Sequence, residues 1–155
     1  VRSIFSVFQF LECFVDPVHT LVSMKGHPVV FVEPPAYLFR SDLLLAELFA
    51  DAGHVTGCGF ADLSHQVFDL VINATAMGHR GEAPGLDGNW FGPAALCYDM
   101  NYGHAADPLA SRCFKLGVRY SDGLGMLVEQ AAESFRLWRG VRPETASVIE
   151  ALRIA

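Results

Sequence analysis

The sequence lacks the features that mark nucleic-acid-binding and membrane proteins. Its 155 residues contain 11 basic and 17 acidic side chains, which gives a formal net charge of −6. It has no basic run, and non-specific nucleic-acid binding needs many phosphate contacts. No apolar run reaches the ~18 residues that a membrane helix requires. We therefore expect neither nucleic acid nor a membrane as a partner.

Cysteine and histidine are too scattered to indicate a metal site or a disulfide framework. No two of the four cysteines have C-x-x-C spacing, and no two of the six histidines lie four residues apart. A zinc site needs such clusters, and a chain of this length can form a core without disulfides. The pattern predicts no bound metal, and reduced thiols in a cytoplasmic protein.

Apolar runs alternate with helical patterns from about residue 41 onward. The spacing predicts strands at 68–73, 95–100 and 118–120, a loop over 75–92, and helices at 41–51, 107–116, 124–138 and from residue 143. In the last helix, Val148, Ile149 and Leu152 are expected to face inward. This alternation predicts an α/β domain with a mostly parallel sheet. Ligands bind beyond the carboxyl ends of such strands, so Asn73 and Met100 mark a candidate site.

Three segments carry a family resemblance. They are 71–78 (VINATAMG), 97–103 (CYDMNYG) and 121–132 (SDGLGMLVEQAA). In this order, and followed by Phe135, Trp138 and Gly140, they resemble the C-terminal half of shikimate dehydrogenase from about Ser41 to Arg153. The resemblance implies a Rossmann-like cofactor domain of an oxidoreductase. It also implies NADPH-dependent reduction of 3-dehydroshikimate to shikimate, in aromatic amino-acid biosynthesis.

The resemblance also assigns candidate roles by position. Asn73, Thr75 and Met100 would line the nicotinamide end of an NADP site, and Gly123, lacking a Cβ, would let a flat ring come close. Tyr102 and Gln130 would reach the shikimate substrate. Taken alone, each has an ordinary structural interpretation: a core methionine, a loop anchor, a helix-entry glycine or a solvated helix residue. The joint pattern favours the site.

The chain departs from the family at the phosphate end of the cofactor site. A Rossmann domain holds the pyrophosphate with a glycine-rich turn after its first strand, yet residues 1–25 contain no glycine. In the region where the family has arginines for the 2′-phosphate, only Arg40 could serve. Glu33 ends a predicted strand at 29–32, where an acid would favour the ribose hydroxyls of NAD. NADP is the cofactor that the resemblance implies, and NAD remains open.

The family's catalytic lysine and aspartate belong to an N-terminal substrate domain. The two lysines of this chain, Lys25 and Lys115, have no matching context, so no catalytic residue is expected here. We divide the chain into a degenerate first β-α-β unit, 1–40, and a cofactor-domain-like region, 41–155. Whether residues 1–40 are native, truncated or frame-disrupted is left open by the sequence. The alternative function is a non-catalytic remnant or interaction module that has lost nucleotide binding. A cofactor domain without a substrate domain exposes a sheet edge and the surface of the cleft, and we therefore predict that the chain self-associates.

Overall fold

The computed structural model describes residues 20–24, 27–32, 54–57, 63 and 66–154. In these ranges six strands form one sheet. They are β1 Thr20–Met24, β2 His27–Val32, β3 His54–Gly57, β4 Phe68–Asn73, β5 Phe91–Asp99 and β6 Arg119–Ser121. The order across the sheet is β3-β1-β2-β4-β5-β6. Strands β2, β4, β5 and β6 run parallel, whereas β1 is antiparallel to both of its neighbours. The predicted mostly parallel α/β sheet is confirmed.

The described residues ahead of β4 include an antiparallel pair of strands. Strand β2 pairs with β4, which is the place of the first strand in a sheet of Rossmann order. Strand β1 precedes it antiparallel, with residues 25 and 26 between the two. The strand ahead of β2 is therefore antiparallel to it, and the division of the chain at residue 40 stays a prediction.

Three helices follow the strands of the C-terminal region. They are α1 Asp107–Leu116, α2 Leu124–Arg139 and α3 Ala146–Ile154. Helix α1 has Pro108 in its first turn, and α1 and α2 end at Gly117 and Gly140, both with the positive φ that glycine adopts freely. These two helices are confirmed, whereas the helix predicted at 41–51 lies outside the described residues.

The last helix begins later than predicted and packs differently. The Glu144 carboxylate accepts hydrogen bonds from the main-chain N–H groups of Ala146 (2.7 Å) and Ser147 (3.1 Å), so the first turn starts at Ala146. Val148 and Leu152 are exposed, so their predicted inward orientation is wrong. Helix α3 packs on α2, Ile149 is half-buried, and the rest of its apolar face is exposed.

The core lies between the sheet and α1, and it includes part of the predicted loop. Its buried members are Leu63, Phe68, Val71, Leu86, Trp90, Cys97, Leu109 and Cys113. Leu86 and Trp90 come from the segment between β4 and β5. Arg112 of α1 donates from Nε to the main-chain oxygen of Leu86 at 3.2 Å, which fixes that segment over the core. The segment is thus a packed connection that contributes two core side chains.

Candidate functional site

The three motif segments meet at the carboxyl edge of the parallel strands. The main-chain N–H of Met100 donates to the oxygen of Asn73 at 2.9 Å, which joins the ends of β5 and β4. The N–H of Gly123 donates to the oxygen of Asn101 at 2.9 Å, which joins the start of α2 to the loop after β5. Residues distant in sequence therefore form one site where ligands of parallel sheets bind.

A buried carboxylate lies at the centre of this edge. The side chain of Asp99, 0% exposed, accepts three hydrogen bonds at Oδ1: from Asn73 Nδ2 (2.9 Å), Asn101 N (3.0 Å) and Asn101 Nδ2 (2.8 Å). The Tyr120 hydroxyl lies 3.2 Å from Asp99 Oδ2 and 3.2 Å from the main-chain oxygen of Ala106. The amide groups, the main-chain N–H and the tyrosine hydroxyl can all donate to the carboxylate. A carboxylate surrounded only by donors is suited to act as an acceptor.

Asn73 and Thr75 lie inside this network. Asn73 is 1% exposed, and its Oδ1 accepts from the N–H of Thr75 at 3.1 Å while its Nδ2 donates to Asp99. The Thr75 main-chain oxygen accepts from Asn101 Nδ2 at 3.0 Å, and its Oγ1 accepts from the N–H of Met77 at 3.4 Å. Both side chains hold the loop after β4 in place, and the two ends of the Asn73 amide are engaged within the protein.

Gly123 is required by the packing of the backbone. A Cβ at this position would lie 2.3 Å from the main-chain oxygen of Met100. At Gly125, by contrast, a Cβ would meet no atom within 4 Å. Side-chain Oδ1 of Asp122 accepts from the N–H of Leu124 at 3.3 Å and so caps the first turn of α2. The close approach of α2 to the end of β5 therefore explains the glycine before any ligand is considered.

The remaining candidate residues surround this edge. Met100 is half-buried at the end of β5, Tyr102 is 47% exposed in the loop after it, and Gln130 is half-buried on the second turn of α2. Arg40 and Glu33 lie outside the described residues. Met100 and Gly123 are brought into contact, and Tyr102 follows Met100 by two residues at the same edge.

Two turns at this edge interlock. The turn Met77–Arg80 follows β4, and the turn Gly103–Ala105 follows β5. A Cβ at Gly78 would lie 1.9 Å from the main-chain oxygen of Ala105. The two loops that border the site are therefore packed backbone against backbone.

Three residues of the site have no role in the sequence-based assignment. Asp99 and Asn101 flank Met100 within the second motif, and Tyr120 lies on β6 directly before the third motif. Burial, followed by the charge and the hydrogen bond of Asp99, raises the pKa of Tyr120. Burial and the charges of Asp122 and Asp99 likewise raise the pKa of Tyr98. An acid and an amide at the end of an apolar strand were the signal for this network.

The residues at this edge fit one end of a dinucleotide. Met100 supplies an apolar, adaptable surface beside the close junction with Gly123, as a flat nicotinamide ring would require. The phosphate end would be held after β2, beyond Val32, where the described residues stop. The described residues therefore include the candidate ring end of the site, and the candidate phosphate end lies outside them.

The topology and the position of the site define a Rossmann-like α/β domain. Comparisons with known proteins show which proteins this domain resembles. The family model of the shikimate 5'-dehydrogenase C-terminal domain matches residues 123–153. Shikimate dehydrogenase (NADP(+)) from Alkalilimnicola ehrlichii is 53% identical over 110 residues, which cover 70% of this chain and 40% of that protein. The chain is thus related to the C-terminal domain of shikimate dehydrogenases, as the motifs predict.

Two further matches extend the likeness toward the N-terminus. Shikimate dehydrogenase (NADP(+)) from Dechloromonas aromatica is 47% identical over 131 residues, covering 80% of this chain and 48% of that protein. The crystal structure of shikimate 5-dehydrogenase from Thermus thermophilus, in complex with NADP(H) and shikimate, matches with a TM-score of 0.56 and 25% identity, and covers 81% of this chain and 44% of that one. Both coverages exceed the stretch from Ser41 onward, so the similarity begins ahead of Ser41. The chain spans less than half the length of these relatives.

None of the helices in the described ranges is long and apolar enough to cross a membrane. The same ranges contain no group of three or more histidine, cysteine, aspartate or glutamate side chains placed to hold a metal ion.

Proposed function

We propose that this chain is the NADP(H)-binding half of a shikimate dehydrogenase. Its role would be to hold the cofactor for the reduction of 3-dehydroshikimate to shikimate, in aromatic amino-acid biosynthesis. The observation that carries the proposal is the meeting of all three motif segments at the carboxyl edge of β4 and β5, through the bonds from Met100 to Asn73 and from Gly123 to Asn101. Hydride transfer also needs an acid–base pair. In this proposal a substrate-binding half supplies that pair.

The proposed roles follow the observed placement. Met100 and the Gly123 junction form the surface for the nicotinamide ring, and Asn73 and Thr75 support that surface from below through their buried hydrogen bonds. Tyr102 and Gln130, which are more accessible, are the candidates for contact with the substrate. Arg40 is the candidate for the 2′-phosphate.

An apolar face of the C-terminal helices supports self-association. On α2 and just after it, Trp138 is 79% exposed, and Phe135, Leu137 and Val141 are exposed as well. Large exposed apolar side chains close together mark interaction surfaces. We propose that a second copy of the chain covers this face.

We also place the chain in the cytoplasm. Cys97 and Cys113 are buried free thiols that hydrogen-bond to each other, and that bond and burial raise the pKa of Cys97. Two neighbouring thiols without a disulfide between them are typical of proteins in a reducing compartment.

A non-catalytic interaction module is the second candidate function. It is favoured by the position of β2, which pairs with β4 where the first Rossmann strand lies. Residues 33–52, which follow that strand, contain Pro34 and Pro35 and no glycine. The glycine-rich turn that cradles a pyrophosphate therefore has no counterpart in the sequence at this place.

Calorimetric titration of the chain with NADPH, and with NADH as the comparison, separates the two candidates. The cofactor-domain proposal predicts micromolar binding with NADPH preferred. Arg40→Ala should weaken NADPH binding by about tenfold, the loss of one charge-assisted contact, and leave NADH binding unchanged. Arg139→Ala, which removes an exposed charge at the end of α2, is the matched control and should change neither. No heat and no thermal stabilisation by either nucleotide would favour the interaction module.

A further inference from the structure

Asp99 is a buried carboxylate without a cationic partner among the residues that the structure describes. Its contacts are with two asparagines, a tyrosine hydroxyl and a main-chain N–H, all of them neutral. The neighbouring Asp122, by comparison, lies 3.5 Å from Arg153 Nη2. The charge of Asp122 is therefore partly balanced, whereas that of Asp99 is dispersed over hydrogen bonds alone.

This carboxylate belongs to the residue that precedes Met100, at the edge where the proposed ring surface lies. Asp99 precedes Met100 in the chain, and its Oδ1 accepts from the N–H of Asn101, so the carboxylate spans the Met100 peptide. The main-chain oxygen of Asp99 would also lie 3.2 Å from a Cβ at Gly123. The residue that carries the charge is thus next to Met100 in the chain, and its main chain lies beside Gly123.

The charge acts on nearby groups because the surroundings are poorly solvated. Burial is the main cause of the raised pKa of Tyr120, and the charge of Asp99 comes next. For Tyr98, burial and the charge of Asp122 raise the pKa most, and Asp99 adds to them. Charges interact more strongly inside a protein than in water. A cation placed on Met100 would therefore be attracted by Asp99.

We infer that Asp99 makes the ring end of this site favour a positively charged nicotinamide, the oxidised form, over the neutral reduced form. The inference rests on the proposed function. When a hydride leaves the reduced ring with both electrons of its C–H bond, the ring is left with one positive charge. Asp99 stabilises that charge, which makes it a positioning and specificity-determining residue.

The test compares the dissociation constants of NADP⁺ and NADPH for the wild-type chain and for Asp99→Asn. Asparagine has the same shape: its Oδ1 can keep the bonds from Asn73 and Asn101, and its Nδ2 can donate to the Tyr120 hydroxyl, which then donates to Ala106. We expect the variant to bind NADP⁺ about tenfold more weakly and NADPH within about twofold of wild type. Asp69→Asn is the matched control, since it removes the same charge four residues before Asn73, near the opposite end of β4. It should leave the ratio of the two constants unchanged.

Three outcomes would overturn the inference. Equal weakening of both nucleotides by Asp99→Asn would show a purely structural role. Wild-type binding of NADPH several-fold tighter than NADP⁺ would contradict the preference itself, and this measurement stands even if thermal unfolding shows that the variant does not fold. Binding of neither nucleotide by the wild-type chain would remove the proposed function and this inference together, and is thereby distinguishable from the first two results.

Discussion

Helices α1 and α3 have similar lengths and similar amphipathic patterns, yet their apolar faces end in different surroundings. Helix α1 buries Leu109 and Cys113 in the core against the sheet. Helix α3 has no buried residue, and Leu152 on it is 49% exposed. Its attachment is largely polar: Arg153 pairs with Asp122, and Thr145, just before the helix, donates to Glu129 of α2 at 2.6 Å. An apolar stripe predicts a helix, but it does not tell which surface the stripe will meet.

The largest expected difference between the two helices is in folding stability. Leu109→Ala should lower the free energy of unfolding by about 2–5 kcal/mol, because it leaves a cavity in a close-packed core. Leu152→Ala, the same substitution on α3, should cost less than about 1 kcal/mol, since half of that side chain already contacts water. Chemical denaturation of both variants measures this. Equal losses would mean that α3 is as firmly packed as α1.

The second difference concerns association. Trp138→Glu places a charge in the exposed apolar face and should weaken self-association of the chain by at least about tenfold. Ser111→Glu, which adds the same charge to the exposed side of α1, should leave it unchanged. Light scattering over a range of concentrations gives both values. A wild-type mass that stays monomeric at every concentration would contradict the proposed self-association.

The smallest expected effect is a dependence of folding stability on pH, which arises from Tyr120 in the packed part of the chain. The pKa of Tyr120 is raised in the folded chain, so above the unfolded value of about 10 the native state binds the extra proton. The stability that Tyr120 contributes is therefore fully present below that pH and decreases as the pH rises above it. The decrease should not exceed about 1 kcal/mol per pH unit, because the tyrosine is partly screened by solvent. Thermal unfolding of wild type and Tyr120→Phe at several pH values above about 10 should show that the difference between their unfolding temperatures becomes smaller as the pH rises. A constant difference would mean that the tyrosine titrates normally.

Most of the parallel half could be predicted from the sequence. The apolar run 68–73 is buried on β4 as expected, and glycines at 117 and 140 end helices α1 and α2 at the predicted places. The start of β5 was placed four residues late, because Gly92 and Pro93 are typical of loops. In the structure the register of β4 against β5 shifts at this point, and such an irregularity accommodates a proline within a strand.

The candidate site could be predicted in outline, but the reason for its geometry could not. Met100 and Gly123 were expected at one site and lie in contact. Asp99, which bonds the segments together, stands out only as an acid at the end of an apolar strand, and its burial does not follow from that, since such an acid is usually solvated. Its hydrogen bonds come from the neighbouring Asn101 and from Asn73 and Tyr120, which belong to separate parts of the chain. Such a network exists only in three dimensions.

The contact between Gly78 and the oxygen of Ala105 restricts how this domain can diversify. Loops at the functional edge of a sheet ordinarily tolerate insertions and deletions. Here a side chain at Gly78 would push the two turns apart, and so would an inserted residue at the contact. Changes in length are left to the exposed positions of 81–89, such as Gly85, where a side chain would meet open space. Relatives that differ in loop length should therefore differ there, at a distance from the interlocked turns.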